Sequence, residues 1–293
     1  MHYKETDKSL RDIARELGVA TVLEGSVRRE GNRVRVNAQL VDASTDAHLW
    51  SESYDREVES LFAIQSDVAT SIARALEIEL TSDERQRIER APTSNQEAYQ
   101  LYLRGRYFWN RRTFEDLDRA LDLFQEAVAA DPGFALAHVG IAETYLLLPQ
   151  YGEYPREDGT QRAETAARQA LTFDPTSGEA YATLGAVAHE RWQWERADQL
   201  YIRAVELSPG YATGHQWYGE YLYAVGRTRE AVVELERARE LDPQSMIITT
   251  VLGLGYYYDR RYEDAIATAR MLAGAEAGQR LSAELARAWR EQG

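Results

Sequence analysis

Prolines set 34 residues apart constrain this chain more than any other feature. Pro175, Pro209 and Pro243 follow one another at intervals of 34, and Pro132 stands 43 residues before the first of them. Gly185, Gly219 and Gly253 keep the interval of 34, and so do Ala197, Ala231 and Ala265, each twelve residues after its glycine. Ala204 and Ala238 precede Pro209 and Pro243 by five residues. Three residue types at four positions holding one register mark an internal repeat. A period in the range of about 20–50 residues implies stacked supersecondary units rather than one closed core.

Packing explains the pattern. Each unit reads as two antiparallel helices, A and B. Small residues stand where the two axes approach most closely, and a proline just past helix B prevents the helix from continuing and sets the turn. Tyr181, Leu184, Tyr201, Leu222 and Leu235 are of the size needed to fill the space between helices. Two units are longer than the period. The second carries nine extra residues around Pro149 to Pro155, and the first has 15 residues from Gly105 to Ala120 where twelve is the rule. Both insertions are expected in the A-to-B turn, where added length costs little.

Tyr181-Ala-Thr-Leu184-Gly185 and Trp217-Tyr218-Gly219-Glu220-Tyr221-Leu222 resemble the helix A motif of the tetratricopeptide repeat (TPR), and Arg260-Arg261-Tyr262-Glu263-Asp264-Ala265 resembles the opening of its helix B. Residues 98 to about 272 thus look like a TPR array, which implies a mostly α fold, a right-handed α-solenoid of about five repeats. The repeats fall at 98–134, 135–177, 178–211, 212–245 and 246–279. Gln279 to Gly293 reads as a further helix, with Leu281, Leu285 and Trp289 on one face.

Residues 1–80 have a different texture. Leu10, Ile13, Ala14 and Leu17 share a helical face that Gly18 ends. Val34, Val36, Ala38 and Leu40 alternate with Arg33, Arg35, Asn37 and Gln39, the period of a half-buried strand. Glu30-Gly31-Asn32 joins it to the β-forming run Thr21 to Arg28 as a hairpin. A third strand near His48 to Tyr54 and a helix carrying Leu61, Ile64, Val68 and Ile72 complete an α-β-β-β-α order. Ile13-Ala-Arg-Glu-Leu-Gly-Val19, Val22-Leu-Glu-Gly-Ser-Val-Arg28, Val34-Arg-Val36, Leu40-Val-Asp42, His48-Leu-Trp50 and Tyr54-Asp-Arg56 are similar to the second part of the TolB amino-terminal-like domain. That resemblance implies a partial, small α+β domain with one sheet edge open. It also implies a place in a bacterial multi-domain signalling protein, behind a cyclase, kinase or winged-helix output. Between the two parts, 81–97 reads as a helical linker, with capping boxes at Thr81-Ser-Asp-Glu84 and Ser94-Asn-Gln-Glu97 and a break at Ala91-Pro92-Thr93. Residues 98–293 form the array and its terminal helix.

The TPR register assigns side chains to a concave groove lined by the A helices. Tyr99, Tyr102, Arg106 and Trp109 come from the first repeat, and Glu143 and Leu146 from the second. His189 comes from the third, Gln216, Glu220 and Tyr223 from the fourth, and Leu254 and Tyr257 from the last. Aromatic and arginine side chains anchor peptides well, although the same aromatics also serve as packing between repeats. Trp192 and Trp194 are expected to cap a helix pair. Arg28, Arg29, Arg33 and Arg35 form a basic cluster on the hairpin. It reads either as a docking patch for an acidic partner or as a charged sheet edge that resists aggregation.

A formal net charge of −14 opposes phosphate backbones and anionic lipid, so nucleic acid is not the expected partner. No cysteine is present, and the five histidines lie at no metal-binding spacing, so no metal and no cofactor is expected. His138 and His215 share one repeat position and are expected in the core or between repeats. No G-x-S-x-G, Walker A or Rossmann fingerprint occurs, and no catalytic residue is nominated. No apolar run of membrane-spanning length appears, which points to a soluble chain of cytoplasm or periplasm. The function expected is a protein-protein interaction scaffold that binds a peptide or protein in the groove. The alternatives are a small-molecule sensor with its ligand in the amino-terminal domain or the domain junction, an unrecognised enzyme, or a self-assembling element. Oligomeric state is not legible.

Overall fold

A computed structural model describes residues 8–31, 33–57, 61–78, 88 and 91–272. The chain divides into two compact units, with the boundary between Ser94 and Asn95.

The first unit contains α1 (Leu10–Leu17), β1 (Thr21–Glu30), β2 (Arg33–Asp42), β3 (His48–Glu57) and α2 (Leu61–Ala75). The Ser9 side chain caps α1 by accepting from the Asp12 amide, and Gly18 closes it at φ 67°, a conformation that costs a side-chain-bearing residue about 1 kcal/mol or more. The strands form one antiparallel sheet in the order β1-β2-β3. Val36 pairs with Val27 on one side and Tyr54 on the other. The alternation read from β2 holds, with Val34, Ala38 and Leu40 buried and Arg33, Arg35 and Asn37 exposed. Helix α2 lies over β2 and β3, burying Ile64 and Tyr54. Of the hairpin arginines, Arg33 and Arg35 both donate to Asp55 on β3, at 2.8 and 2.7 Å. Arg28 is exposed, and the Arg29 side chain lies outside the described residues.

Among its described residues the second unit has five antiparallel helix hairpins. They are α3 (Gln96–Trp109) with α4 (Phe114–Ala130), α5 (Ala135–Tyr151) with α6 (Arg156–Phe173), α7 (Gly178–Glu190) with α8 (Trp194–Leu207), α9 (Ala212–Ala224) with α10 (Thr228–Leu241), and α11 (Met246–Tyr258) with α12 (Tyr262–Met271). The recurring small residues stand at the crossings. A methyl at Gly185 would lie 2.9 Å from the Tyr201 ring, and one at Gly219 would lie 2.5 Å from Leu235. Ala197, Ala231, Ala265, Ala204 and Ala238 are buried, as are Leu184, Tyr201, Leu222 and Leu235. Burial of a side chain of that size contributes about 1.5–3 kcal/mol.

Three expectations need correction. The nine residues added to the second repeat do not make a long loop. Helices α5 and α6 have 17 and 18 residues where α7 and α8 have 13 and 14, and the connection is only 152–155. Each helix gains about one turn, because Ala142, Tyr145, Leu147 and Leu148 on α5 and Gly159 and Ala163 on α6 are apolar or small and are buried. The extra residues of the first repeat likewise enter the start of α4, which has 17 residues. Finally, the cap of α3 is Asn95 and not Ser94. Its Oδ1 accepts from the Ala98 amide while its Nδ2 donates to the Ala130 carbonyl, a double role that a serine hydroxyl cannot fill at that reach. The capping box at Thr81 and the helix expected over Gln279 to Gly293 lie outside the described residues.

Candidate groove and its polar centre

The first helices of the hairpins present parallel rows. One step past the crossing position stand Arg106 on α3, Glu143 on α5, Ala186 on α7, Glu220 on α9 and Leu254 on α11. Three residues further on stand Trp109, Leu146, His189, Tyr223 and Tyr257.

The first row carries a polar centre. Glu143 is wholly buried. Its Oε2 accepts from Arg106 Nη1 at 2.5 Å, and its Oε1 accepts from the phenol of Tyr211, the residue that opens α9. A carboxylate with no exposure is tolerated because both oxygens are engaged, one by a cation. Burial raises the Tyr211 phenol well above its usual pKa, and the Glu143 charge raises it further. Arg106 also lies over the Trp109 ring, 4.1 Å from its centroid.

The remaining expected residues divide by exposure. Trp109, Leu146 and Tyr257 are buried, at 1%, 7% and 7%. Together with Glu143 they can act on a partner only through the residues they hold, since the hairpins close over them. Tyr99 and Tyr102 are half-buried and stacked with centroids 6.3 Å apart. Tyr102 also rests on Phe124 and Phe134, and burial pushes its phenol up to about 12. Gln216 is buried and donates to Glu220 at 2.8 Å. Burial raises the Glu220 carboxyl, with Gln216 and then Arg112 opposing the shift. His189 lies against Trp194 and Tyr221, and burial lowers its pKa against the pull of Glu190. Tyr223 is half-buried and tilts onto Tyr258 at 5.0 Å, and Leu254 is half-buried.

Arg112 and Tyr211 belong to this surface although the helix A register passes over them. Arg112 sits in the turn between α3 and α4 at φ 56°. Its guanidinium lies 3.7 Å from the Trp109 ring centroid. Among the described residues it makes no ion pair and no hydrogen bond. Burial pushes its pKa down to about 10, with the electrostatics of Tyr151 opposing that and the Arg106 charge adding to it. A sequence signal for Arg112 exists. It stands seven residues after Gly105, as Trp192, Gly226 and Arg260 stand seven after Gly185, Gly219 and Gly253, and all four have positive φ.

Elsewhere, His138 and His215 are buried as expected, each with Nε2 on the carbonyl of the proline six residues before it, at 2.9 and 3.1 Å. Trp194 covers His189 and Tyr221. Trp192 does not act as a cap, because its left-handed backbone turns the ring outward to 75% exposure. An open cleft of about 500 Å³ lies along α5 and α6 beside His138, Tyr145 and Arg162, away from the polar centre. Among the described residues no group of three or more His, Asp or Glu side chains is placed to hold a metal ion, and no helix is long and apolar enough to cross a membrane.

No family model matches the chain. Over 185 residues it is 37% identical to the protein named “Putative adenylate cyclase 3” of Rhizobium meliloti (strain 1021), covering 62% of this chain and 31% of that protein. Over 159 residues it is 28% identical to the transcriptional regulator HilA of Salmonella typhimurium, covering 54% of this chain and 29% of that protein. The chain therefore spans about three tenths of the length of these relatives. Among solved structures, TTC0263, a thermophilic TPR protein of Thermus thermophilus, matches with a TM-score of 0.51 at 20% identity, covering 66% of this chain and 98% of that one. The helical array has the fold of a TPR solenoid, as its period implied.

Proposed function

We propose that the helical array is a protein-interaction module that holds an extended or helical segment of a partner in the groove formed by α3, α5, α7, α9 and α11. The observation that carries this reading is the row of half-buried side chains on those helices. Tyr99, Tyr102, His189, Tyr223 and Leu254 offer aromatic and apolar area beside the hydrogen-bonding groups of Arg106, Arg112 and Glu220. A stacked-hairpin fold supplies such a surface without a closed active-site cavity.

The reading extends to a regulatory part of a larger bacterial signalling protein, supported by the similarity to the two relatives above, each about three times as long as the matched stretch. On this reading residues 1–80 are the TolB amino-terminal-like module that the sequence resembles, 81–97 the joint and 98–293 the array. The order α-β-β-β-α supports the first of these.

The test is affinity capture from the source organism with the full chain, native against Tyr223→Ala/Leu254→Arg. Both side chains are half-buried on the groove side, so the variant should keep its helical circular dichroism. A partner retained by the native chain and lost by the folded variant supports groove binding. Equal capture by both removes the groove from the proposal.

A further inference from the structure

Arg112 is an arginine with its face covered and its edge unused. A guanidinium has five N–H donors. Stacking on Trp109 at 3.7 Å satisfies the flat face of Arg112 and leaves the N–H edge free to donate. Arg106, flanking the same ring, spends a donor on Glu143. Arg112 has no protein acceptor among the described residues, in a chain where 48 acidic side chains outnumber 34 basic ones.

The backbone makes the placement costly. Residue 112 is held at φ 56°, a left-handed conformation that is strained for any residue bearing a side chain. Gly226 fills the same turn position in the fourth repeat without that cost. The other two occupants, Trp192 and Arg260, are exposed, whereas the Arg112 side chain is half-buried against Trp109. Strain together with a desolvated, unpaired cation is expected where a ligand completes the site.

We propose that Arg112 anchors a carboxylate of the segment bound in the groove, taking it on the free guanidinium edge while Trp109 holds the plane of the fork. The proposal rests on the groove reading above and names the chemistry that the groove selects. A carboxylate fits better than a dianionic phosphate. The buried carboxylate of Glu143 and that of Glu220 both act on Arg112, and their repulsion grows with the charge of the ligand. The carboxylate has two sources in a peptide, an Asp or Glu side chain or the chain end.

The experiment uses the full chain and amide-capped peptide pools, randomised except for a central Glu, Gln or Lys, read by fluorescence polarisation. A further pool has central Gln and a free α-carboxylate. Native protein should bind the Glu pool or the free-end pool about tenfold tighter than the capped Gln pool. The Lys pool should be weakest. That preference should vanish in Arg112→Gln and in Arg112→Gly, and survive in part in Arg112→Lys. Arg112→Gly guards against misfolding, because glycine is the favoured residue at this φ. Whether the Glu pool or the free-end pool carries the Arg112 dependence decides the source of the carboxylate. Equal binding of all pools, or a preference that persists without the guanidinium, overturns the assignment of Arg112 and leaves the groove in place. Binding of no pool by native protein overturns both.

Discussion

The phenol of Tyr211 donates a hydrogen bond to Glu143, a residue 68 positions earlier and two hairpins away. Sixty-eight is twice the repeat period, and the bond skips the third hairpin, where the corresponding row position is Ala186. With Arg106 on the other oxygen, one carboxylate ties the first and second hairpins to the start of the fourth.

That geometry makes Glu143 the most sensitive polar residue of the array. Glu143→Ala leaves the Arg106 cation and the Tyr211 hydroxyl without their acceptor, and should cost about 3–5 kcal/mol in urea denaturation. Arg106→Met/Glu143→Leu/Tyr211→Phe removes all three polar groups at similar volume and should recover most of that loss. A triple variant as unstable as the single one would mean that packing, and not the unpaired charge, dominates.

The four turn residues at positive φ separate backbone strain from side-chain function. Arg260 is exposed and its turn matches that of Gly226. Arg260→Gly should therefore stabilise the array by about 1 kcal/mol, seen as a raised Tm. The same change at Trp192 should also stabilise, by less, because it removes the edge contact with Trp194 at 5.3 Å. No gain at Arg260 would show that the turn does not carry the strain its φ implies.

The sequence exposed the parts of this fold that repeat, and hid the parts that do not. Gly185, Gly219 and the alanines after them could be placed at helix crossings because close packing forces the same small residue into each unit. The rows through Arg106 and Trp109 were legible for the same reason. Exposure along a row was not, since it depends on what the neighbouring hairpin contributes: Trp109 is sealed between two arginines, while Tyr223 in the same row is half-buried. Tyr211 escaped because it acts from a helix cap across two repeats, a distance that no single-unit pattern records. The long second repeat was misplaced because extra residues between two helices look alike in sequence whether they extend the helices or the loop. There, Pro149, where the added residues were expected to begin the turn, lies in the last turn of α5, beyond most of that helix's hydrogen bonds.

In the amino-terminal unit, Asp42 Oδ1 accepts from the amides and the hydroxyls of Ser44 and Thr45, at 2.6 to 2.9 Å. The side-chain bond from Ser44, followed by that from Thr45, lowers its pKa from 3.8 to about 2. A depressed carboxyl stabilises the fold above its unfolded pKa, and that contribution disappears as pH falls from 3.8 towards about 2. An NMR titration should find the Asp42 carboxyl ionised well below the other carboxylates, with the Ser44 and Thr45 amides shifting at the same midpoint. Asp42→Ala should abolish both responses. An ordinary midpoint would mean that the turn opens in solution.

Glu220 should behave in the opposite sense. Its carboxyl is raised above 4.5 by burial, against the Gln216 hydrogen bond and the Arg112 charge. A carboxyl raised by folding is protonated more readily in the native state than in the unfolded one. Its penalty on stability is therefore present at neutral pH and is relieved as pH falls through the folded pKa towards 4.5. Glu220→Gln retains an acceptor for Gln216 and removes the charge. It should stabilise the array at about pH 8, and the gain over native should shrink steadily as the pH approaches 4.5. The gain at neutral pH should be larger in an Arg112→Gly background, where the cation that supports the Glu220 charge is gone. Thermal denaturation of the four proteins across that pH range measures both effects. Equal gains in the two backgrounds would show that Arg112 and Glu220 do not sense one another across the groove, and a gain that fails to fall with pH would place the Glu220 carboxylate in solvent.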